Sequence, residues 1–481
     1  MAEIETDYLI VGTGALSMSF ADSLLDHSDA HITFIDQHPR PGGHWNVAYP
    51  FVTLHQPSAT YGLNSMDLDD GRIDTVGLNK GLYALATGTQ VLGYFERAMN
   101  ERFLPSGRVS YHSMSRYEGN EGGTHRFTSN MSGKETRVNV RRKLVDGSAF
   151  TASVPATHKR KFTVAEDVRV TTPGELPNTW LSGAKAADHY VVIGAGKTAM
   201  DVGVWLLNMG VDASAISWVR PRETWMINRA STQPGAQFAG NTVGWQLEQM
   251  RCAATATSGD DIFVHLEEHG HMLRLEPDSL PTKFHFPTIS QGEVDLLRRI
   301  DRVLKIGRIS RIEPGTLHGA DSAADVPENA LFIDCTATAA PRTAVSPIWN
   351  GDTITPQLLQ VPLVSLSASV AGFIEATFET DEEKNALAVP AHMTDTPAHY
   401  PQALLANAIN RMLWSQNAAV AAFLKTARLD PAQRMMAVMG EVNENTREQA
   451  GQIRAATIAA VPNLQKLIAQ NQAAETSPAQ A

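Results

Sequence analysis

Cysteine is scarce in the sequence, and apolar runs of membrane-spanning length do not occur. Cys252 and Cys335 are the two cysteines in 481 residues, which excludes a disulfide framework and a paired-thiol redox motif. The C-x-x-C and H-E-x-x-H patterns are missing, so we expect no metal site. No apolar stretch approaches the roughly 18 residues that cross a bilayer, and the acidic start has no signal-peptide pattern. We therefore expect a cytoplasmic protein without a membrane partner.

Positive charge is also in short supply. The chain carries 40 Lys and Arg against 51 Asp and Glu, a formal net charge of -11, and it has no basic cluster. Because binding to nucleic-acid phosphates usually needs a basic face, we expect no nucleic-acid partner. The length is enough for two or three domains. A hydrophobic content of 43% and a charged content of 19% are ordinary for a globular protein.

Residues 7–36 follow the order strand, glycine turn, helix, strand, acid. Gly12 permits a tight turn after the first strand, and Gly14 lets a pyrophosphate approach the backbone. The N-terminus of the helix that follows the turn and continues to about Leu25 presents free N–H groups and a partial positive charge to that pyrophosphate. Asp36 follows Gly14 at the spacing that lets a carboxylate accept hydrogen bonds from an adenosine ribose. The segment therefore predicts a dinucleotide site formed by Gly12, Gly14, Ala15 and Asp36.

Two motifs after this acid carry a family resemblance. Residues 42–45 read Gly-Gly-His-Trp, and residues 54–57 read Leu-His-Gln-Pro. The sequence thus resembles the flavin-containing monooxygenase superfamily, whose members carry an acid, a short spacer, Gly-Gly-x-Trp and a Leu-x-(His or Asn)-x-Pro segment. The resemblance implies FAD at the first site, and the residues that it places around the flavin are Gly43, Trp45, His55 and Gln56. We assign His55 and Gln56 to catalysis, and for Trp45 plain core packing is the alternative.

A second glycine turn occurs within residues 189–203. Tyr190 to Ile193 is an apolar run typical of a buried strand. The turn after it has alanine in place of the third glycine, an accepted variant, and a helix to about Met209 follows. The residues predicted to contact a second dinucleotide are Gly194, Gly196, Lys197 and Thr198.

The residues after the next strand indicate which nicotinamide cofactor binds there. The strand from Ala215 to Val219 ends in Arg220-Pro221-Arg222, where an NAD site would carry an acid. An arginine offers a bidentate fork to phosphate oxygens. Arg220 and Arg222 therefore favour NADPH through its 2′-phosphate, with solvated surface charge as the alternative.

The order of these segments predicts an α/β fold with two dinucleotide-binding, Rossmann-like domains. The NADPH domain is inserted in the FAD domain, which also carries a small antiparallel meander within residues 105–150, and helices follow at the C-terminus. We predict the first part of the FAD domain at 1–175, the NADPH domain at 176–333, the second part of the FAD domain at 334–430, and a helix with a disordered tail at 431–481. Residues 330–338 are interpreted as the strand that returns to the first unit, and the disordered tail is placed from Ala473 onward.

The resemblance implies an NADPH-dependent monooxygenase that acts on a small molecule with O2 through a C4a-(hydro)peroxyflavin. The superfamily's linker Phe-x-Gly-x-x-x-His is missing before the second turn, where residues 162–165 read Phe-Thr-Val-Ala instead. Two alternatives therefore stay open. One is an NADPH-dependent reductase or oxidase that oxygenates nothing, and the other is a flavin-binding protein whose activity is lost or regulatory. A homodimer is also left open.

Overall fold

The computed structural model describes residues 2–68, 70–148, 158–181, 187–337, 345–434 and 444–476. The strands within these ranges are, in chain order, β1 (Ala2–Val11), β2 (Ile32–Ile35), β3 (Val109–His112), β4 (Ser115–Glu121), β5 (Thr124–Ser129), β6 (Glu135–Asp146), β7 (Thr163–Val164), β8 (Arg169–Thr171), β9 (Tyr190–Ile193), β10 (Ile216–Val219), β11 (Met226–Asn228), β12 (Met272–Leu273), β13 (Thr288–Ile289), β14 (Val303–Leu304), β15 (Ile309–Glu313), β16 (Thr316–Gly319), β17 (Ala323–Asp325), β18 (Leu331–Asp334), β19 (Trp349–Asn350) and β20 (Thr353–Ile354).

The α-helices of the same ranges are α1 (Ala15–His27), α2 (Gly88–Ala98), α3 (Lys197–Asn208), α4 (Ala239–Thr255), α5 (Gly259–Glu268), α6 (Gln291–Leu297), α7 (Val364–Thr377), α8 (Asp381–Ala386), α9 (Tyr400–Gln416), α10 (Ala418–Thr426) and α11 (Glu444–Thr476). Short 3-10 turns connect several of them, among them Gly43–Val47 and Arg229–Thr232.

The first sheet has the strand order β19-β20-β6-β1-β2-β3, with β5 attached to β6 and β4 attached to β5. β1 pairs in parallel with β2 on one side and with β6 on the other. β6 is long because its first half also pairs antiparallel with β5, and β5 pairs antiparallel with β4. The predicted meander is therefore confirmed, and its last strand is also a central strand of the parallel sheet.

The prediction that residues 330–338 return to the first sheet is wrong. β18 pairs in parallel with β9 and β8 of the second sheet, and Thr338 lies outside the described residues. An apolar run that is buried on both faces suits the middle of any parallel sheet, so its sequence does not encode which sheet it joins. The neighbour of β1 is β6 instead, and the Gly147 N–H that follows β6 donates to the Val11 carbonyl oxygen over 3.0 Å.

The chain comes back to the first sheet after residue 345. β20 pairs in parallel with β6, and α7 packs against α1. A Cβ on Gly372 of α7 would lie 2.2 Å from the carbonyl oxygen of Phe20 in α1, so this close helix contact requires glycine at that position. The first unit is thus assembled from two segments that lie on either side of the second unit in the chain.

The second sheet has the order β14-β10-β9-β18-β8, and all its strands are parallel. β9, β10 and β18 are buried along their whole lengths, as central strands of a helix-covered sheet are. Two smaller sheets accompany it, β12-β11-β13 and β17-β16-β15-β7. The predicted α/β class with two Rossmann-like units, the second inserted in the first, is confirmed. The boundaries after residues 175, 333 and 430 stay predictions.

The C-terminal helices are confirmed, but the prediction of a disordered tail from Ala473 is wrong for residues 473–476. α11 continues to Thr476 because alanine, glutamine and glutamate are good helix formers, and Glu475 accepts a 2.8 Å contact from His399. Residues 477–481 lie outside the described ranges. Asp430 caps the helical residues 431–434 by accepting from the Ala432 N–H over 3.0 Å. In the part of the chain that the structure describes, no helix combines the length and apolar character needed to cross a membrane.

Candidate functional site

The first glycine turn lies between β1 and α1, in contact with the Gly-Gly motif. Gly12 has a φ of +91°, a conformation that favours glycine. The Gly42 N–H donates to the Thr13 carbonyl oxygen over 2.8 Å, and a Cβ on Gly43 would lie 2.9 Å from the Cα of Gly14. Two motifs that are separate in the sequence thus meet backbone to backbone. This close approach excludes a side chain at Gly43, whereas a Cβ on Gly14 would make an ordinary 3.6 Å contact with the Cα of Gly43.

The N-terminus of α1 opens onto this glycine-lined surface. Gly14 is its N-cap residue, and no side chain of the described residues caps it. The first N–H groups of a helix have no acceptor within the helix, and they favour an anion at this position. Ala15 is the first residue of this helix, which therefore begins within the predicted turn.

Asp36 is held by the glycine turn itself. Its side chain is buried, and its Oδ2 accepts from both the backbone N–H and the hydroxyl of Thr13, each over 2.6 Å. Its Oδ1 accepts from the His38 N–H over 2.8 Å. The carboxylate therefore fastens the turn to the end of β2. The contact of Asp36 with a ribose stays a prediction. Such a contact would use the second lone pair of Oδ1.

Tyr111 is a residue of this site that the sequence analysis missed. It lies on β3, and its buried hydroxyl has no hydrogen-bond partner among the described residues. Burial, together with the nearby Asp36, raises the pKa of this hydroxyl to about 12. Tyr111, His112 and Phe127 line a groove of about 430 Å³. The hydroxyl of Thr13 acts against this rise in the pKa of Tyr111, so the Tyr111 hydroxyl lies beside the first glycine turn.

Two of the residues that the resemblance places around the flavin, Trp45 and Gln56, occupy different environments. Trp45 is 8% exposed, and its indole N–H donates to the Tyr61 hydroxyl over 2.8 Å within the core of the first unit. Gln56 is half-buried. Core packing therefore accounts for the position of Trp45, and its predicted contact with a flavin stays a prediction.

The second glycine turn repeats the geometry of the first. Gly194 has a φ of +130°, and a Cβ there would lie 2.9 Å from the Cys335 carbonyl oxygen. Gly196 is the N-cap residue of α3, which no described side chain caps. A Cβ on Gly196 would meet no described atom within 4 Å. The N-terminus of α3 therefore also faces open space across a glycine.

Six polar side chains join the two units, and we call them the inter-unit cluster. Segment 49–55 of the first unit supplies two of them, and α3, the turn Arg229–Thr232 and α6 supply the others. The members of the inter-unit cluster are Tyr49, His55, Lys197, Asp201, Arg229 and Glu293. Beside it, the ring of Phe51 stacks on that of Trp205 at 5.2 Å, which adds an apolar contact between the units.

The cluster is centred on two carboxylates. Asp201 accepts from the Tyr49 hydroxyl over 2.6 Å and pairs with Lys197, one turn earlier on α3. Glu293 lies 2.6 Å from an Arg229 nitrogen and 3.4 Å from the Lys197 nitrogen. Lys197 was predicted to contact a cofactor, but its ammonium group is occupied by these two carboxylates.

His55 completes the inter-unit cluster. Its carbonyl oxygen accepts from Arg229 Nε over 3.0 Å, and its Nε2 lies 3.6 Å from Asp201 Oδ2. Its side chain is 35% exposed. Arg229 is 2% exposed, and it was missed because neither its neighbours nor its spacing carry a motif.

Burial and charge set the protonation states of the cluster. Burial alone would raise the pKa values of the two carboxyl groups. Lys197 nevertheless holds the pKa of Asp201 well below its usual range, and Lys197 and Arg229 lower that of Glu293 to about 2. Burial and Lys197 lower the pKa of His55. At neutral pH the cluster therefore contains two carboxylates, two cations and an uncharged imidazole.

Arg220 and Arg222 do not form the pair that the sequence suggested. Arg220 is 6% exposed, lies over the Trp218 ring at 4.9 Å, and sits 3.5 Å from a carboxylate oxygen of Glu223 and 3.6 Å from one of Glu276. Its Nε finds no acceptor within the described parts of the chain.

Arg222, by contrast, is exposed. Partial burial and the neighbouring Arg308 lower its pKa. Arg308 is also exposed. The two guanidinium groups therefore repel each other at the surface beyond the end of β10, and the carboxylate of Asp395 partly offsets this repulsion. Arg308 could not be found from the sequence because it comes from the distant segment between β14 and β15.

The arrangement of the two units is that of a flavin monooxygenase fold. The polycyclic ketone monooxygenase of the fungus Thermothelomyces thermophila superposes with a TM-score of 0.53 at 12% sequence identity, over 98% of this chain and 88% of that chain. The fold implied by the resemblance to the flavin-containing monooxygenase superfamily is thereby confirmed.

The nearer relatives are bacterial. No protein-family model matches the chain. The uncharacterized protein Rv2000 of Mycobacterium tuberculosis is 38% identical over 427 residues, which cover 89% of this chain and 78% of the relative. The uncharacterized protein Mb2023 of Mycobacterium bovis matches to the same extent. The chain belongs to the family of these mycobacterial proteins.

Proposed function

We propose that the chain is an FAD-containing, NADPH-dependent oxidoreductase, and specifically a monooxygenase that uses O2 on a small molecule. One observation carries this proposal. Two uncapped helix N-termini, each entered through a glycine turn at the end of a central parallel strand, belong to two units that the inter-unit cluster joins. A ligand crevice outside the carboxyl ends of parallel strands is the general rule for such sheets.

The first unit fits FAD. Gly12, Gly14 and Gly43 would line a pyrophosphate at the N-terminus of α1, to which Ala15 would donate its backbone N–H. The unpaired Tyr111 hydroxyl and Asp36 Oδ1 would take the adenosine end. The residues that we assign to the isoalloxazine end are those of the resemblance: Trp45, His55 and Gln56.

The second unit fits NADPH. Gly194, Gly196 and Thr198 would hold its pyrophosphate at the N-terminus of α3, in the open space beside Gly196. Lys197 would act through the inter-unit cluster instead of contacting phosphate. We assign the 2′-phosphate to the exposed Arg222 and Arg308, with Arg220 adding its charge from the buried side. Glu223 and Glu276 partly offset that charge.

When bound, the two cofactors supply hydride transfer and the reduction of O2. The chain's own residues would orient the two dinucleotides through the glycine turns. The inter-unit cluster would hold the two units in a fixed relative position. His55 is uncharged at neutral pH because burial and Lys197 lower its pKa, so its ring can accept a proton at the cleft between the units. The amide of Gln56 can both donate and accept, which suits a positioning role.

A substrate screen tests the proposal. Purified protein reconstituted with FAD is mixed with NADPH, O2 and a panel of small amines, sulfides and ketones, and NADPH oxidation is compared with peroxide release. We expect at least one compound to lower the ratio of peroxide to oxidised NADPH well below one and to yield an oxygenated product. A ratio of one with every compound would favour the reductase or oxidase alternative.

A matched pair of variants tests the first site. Gly14→Val places a side chain against the backbone of Gly43 and at the entrance to α1, so we expect protein that cannot retain FAD. Gly93→Val is the control, because a Cβ on this exposed glycine of α2 meets no described atom within 4 Å. Equal flavin content in both variants would remove the first turn from the FAD site.

A further inference from the structure

Three different types of metal ligand meet where α4 and α5 pack together. Glu248 and Cys252 lie one turn apart on α4, so their side chains share a face. His269 is the C-cap residue of α5. One carboxylate oxygen, the thiol sulfur and one ring nitrogen of these residues all lie within 4.8 Å of one another. None of the three belongs to the glycine turns or to the inter-unit cluster.

His269 is already oriented as a metal ligand. Its Nδ1 lies 2.7 Å from the His265 carbonyl oxygen, which can only accept, so Nδ1 carries the proton. The lone pair is therefore on Nε2, which lies 3.8 Å from Glu248 Oε2. A histidine that binds a metal through one nitrogen usually donates the other N–H to a carbonyl or carboxylate group.

Glu248 and Cys252 complete a mixed ligand set. Glu248 Oε1 accepts from Arg251 over 2.8 Å, which fixes the carboxylate and leaves Oε2 toward His269. Cys252 is 4% exposed, and burial, followed by the charge of Glu248, raises the pKa of its thiol to about 11. The ring of His269 is 49% exposed, so an ion can enter from that side.

We propose that Glu248, Cys252 and His269 bind a divalent transition-metal ion, Zn²⁺ in the first place. A thiolate, an imidazole and a carboxylate are the ligand types that Zn²⁺ prefers, and three protein ligands leave a fourth position to water. Binding replaces the thiol proton: Cys252–SH and aqueous Zn²⁺ give a Cys252–S–Zn bond and a released proton. The ion joins α4 to the end of α5 and so stabilises the surface on which α11 packs.

The test uses the full-length protein and the metal alone. After treatment with a chelator and its removal, the protein is titrated with Zn²⁺ against a competing indicator dye, and with Co²⁺ in an absorbance cell. We expect one ion per chain, one proton released per ion, and a thiolate-to-Co²⁺ charge-transfer band.

Variants decide whether these residues form the site. Cys252→Ala should abolish the charge-transfer band, and both Cys252→Ala and His269→Ala should weaken Zn²⁺ binding by more than about 100-fold, beyond the 10–100-fold typical of outer partners. His265→Ala is the matched control on the same helix, since it keeps the backbone carbonyl. Should a variant fail to fold, alkylation of Cys252 in the unsubstituted chain gives a second readout, because Zn²⁺ should protect this thiol. Binding that survives both substitutions, an absent band, or alkylation that Zn²⁺ does not slow would each overturn the proposal.

Discussion

Replacement of Glu293 by Gln tests the electrostatics of the inter-unit cluster. Glutamine has the shape of a protonated glutamic acid and can keep the cap of α6, where Glu293 accepts from the Ser290 N–H over 2.9 Å. It removes the charge that faces Lys197 and Arg229. The pKa of Glu293 falls from an ordinary 4.5 to about 2 in the folded chain, which corresponds to about 3 kcal/mol of stabilisation from the ionised form.

Hydrogen exchange is the suitable assay, because a chain with several units does not unfold in one step and α6 must be read locally. A loss of about 3 kcal/mol predicts roughly 100-fold faster exchange of the amides of α6 in Glu293→Gln at pH 7. Since the folded pKa is depressed, this stability is fully present above pH 4.5 and is lost as the pH falls toward 2. The difference between the two proteins should therefore shrink over that interval.

Asp295→Asn is the control for this prediction. Asp295 lies on the same helix and is 62% exposed, with Arg298 at 4.0 Å. Its Oδ1 accepts from the side-chain amide of Gln291 over 2.8 Å, a bond that the amide oxygen of asparagine can keep. Exposed ion pairs of this kind contribute little to stability, so the exchange rates of the α6 amides in Asp295→Asn should stay within about twofold of those in the original chain. If the α6 amides exchange as slowly in Glu293→Gln as in Asp295→Asn at pH 7, the ionised Glu293 does not stabilise the inter-unit cluster as predicted.

Three further predictions concern the cofactor sites. Arg222→Ala should raise the KM for NADPH by about tenfold, because it removes about 1.4 kcal/mol of phosphate contact. The KM for NADH should stay unchanged. An equal rise in KM for both cofactors would exclude a 2′-phosphate contact. Arg308→Ala should act in the same direction, whereas Arg299→Ala, on an exposed arginine outside this surface, should not. Tyr111→Phe should weaken FAD binding about fivefold or more if its hydroxyl bonds the cofactor, and unchanged affinity in equilibrium dialysis would remove Tyr111 from the site.

Local structure followed from the sequence where a strand, a turn and a helix are neighbours. β9 spans Tyr190–Ile193 as predicted, and α3 ends one residue before the predicted limit. Gly210, with a φ of +81°, terminates that helix. These features depend on residues within one or two turns of each other, so their chemistry is visible in a short window.

Features that depend on distant segments did not follow. The sequences of β6 and of the buried run β18 give no indication of which sheet each strand joins, and this is why β18 was assigned to the wrong sheet. Arg229 and Glu293 enter the inter-unit cluster from outside α3, and His269 meets Cys252 only because α4 and α5 pack together. No spacing rule links such pairs.

Competition between neighbouring side chains was a second source of difference between the predicted and the observed site. Asp36 stands at the spacing of a ribose ligand, yet the hydroxyl of Thr13 between the two glycines takes one of its oxygens. Arg220 follows its strand as a phosphate ligand would, but Glu223 comes three residues later and pairs with it. In both cases the competing residue was present in the local sequence and could have been weighed.

The measurement that bears most directly on the two-nucleotide account is anaerobic reduction of the FAD-reconstituted chain by NADPH, followed by flavin absorbance in a stopped-flow instrument. The account predicts one FAD per chain and complete bleaching of the flavin band, with an observed rate that saturates as NADPH increases. A chain that binds no FAD, or bound FAD that NADPH leaves oxidised, would contradict it.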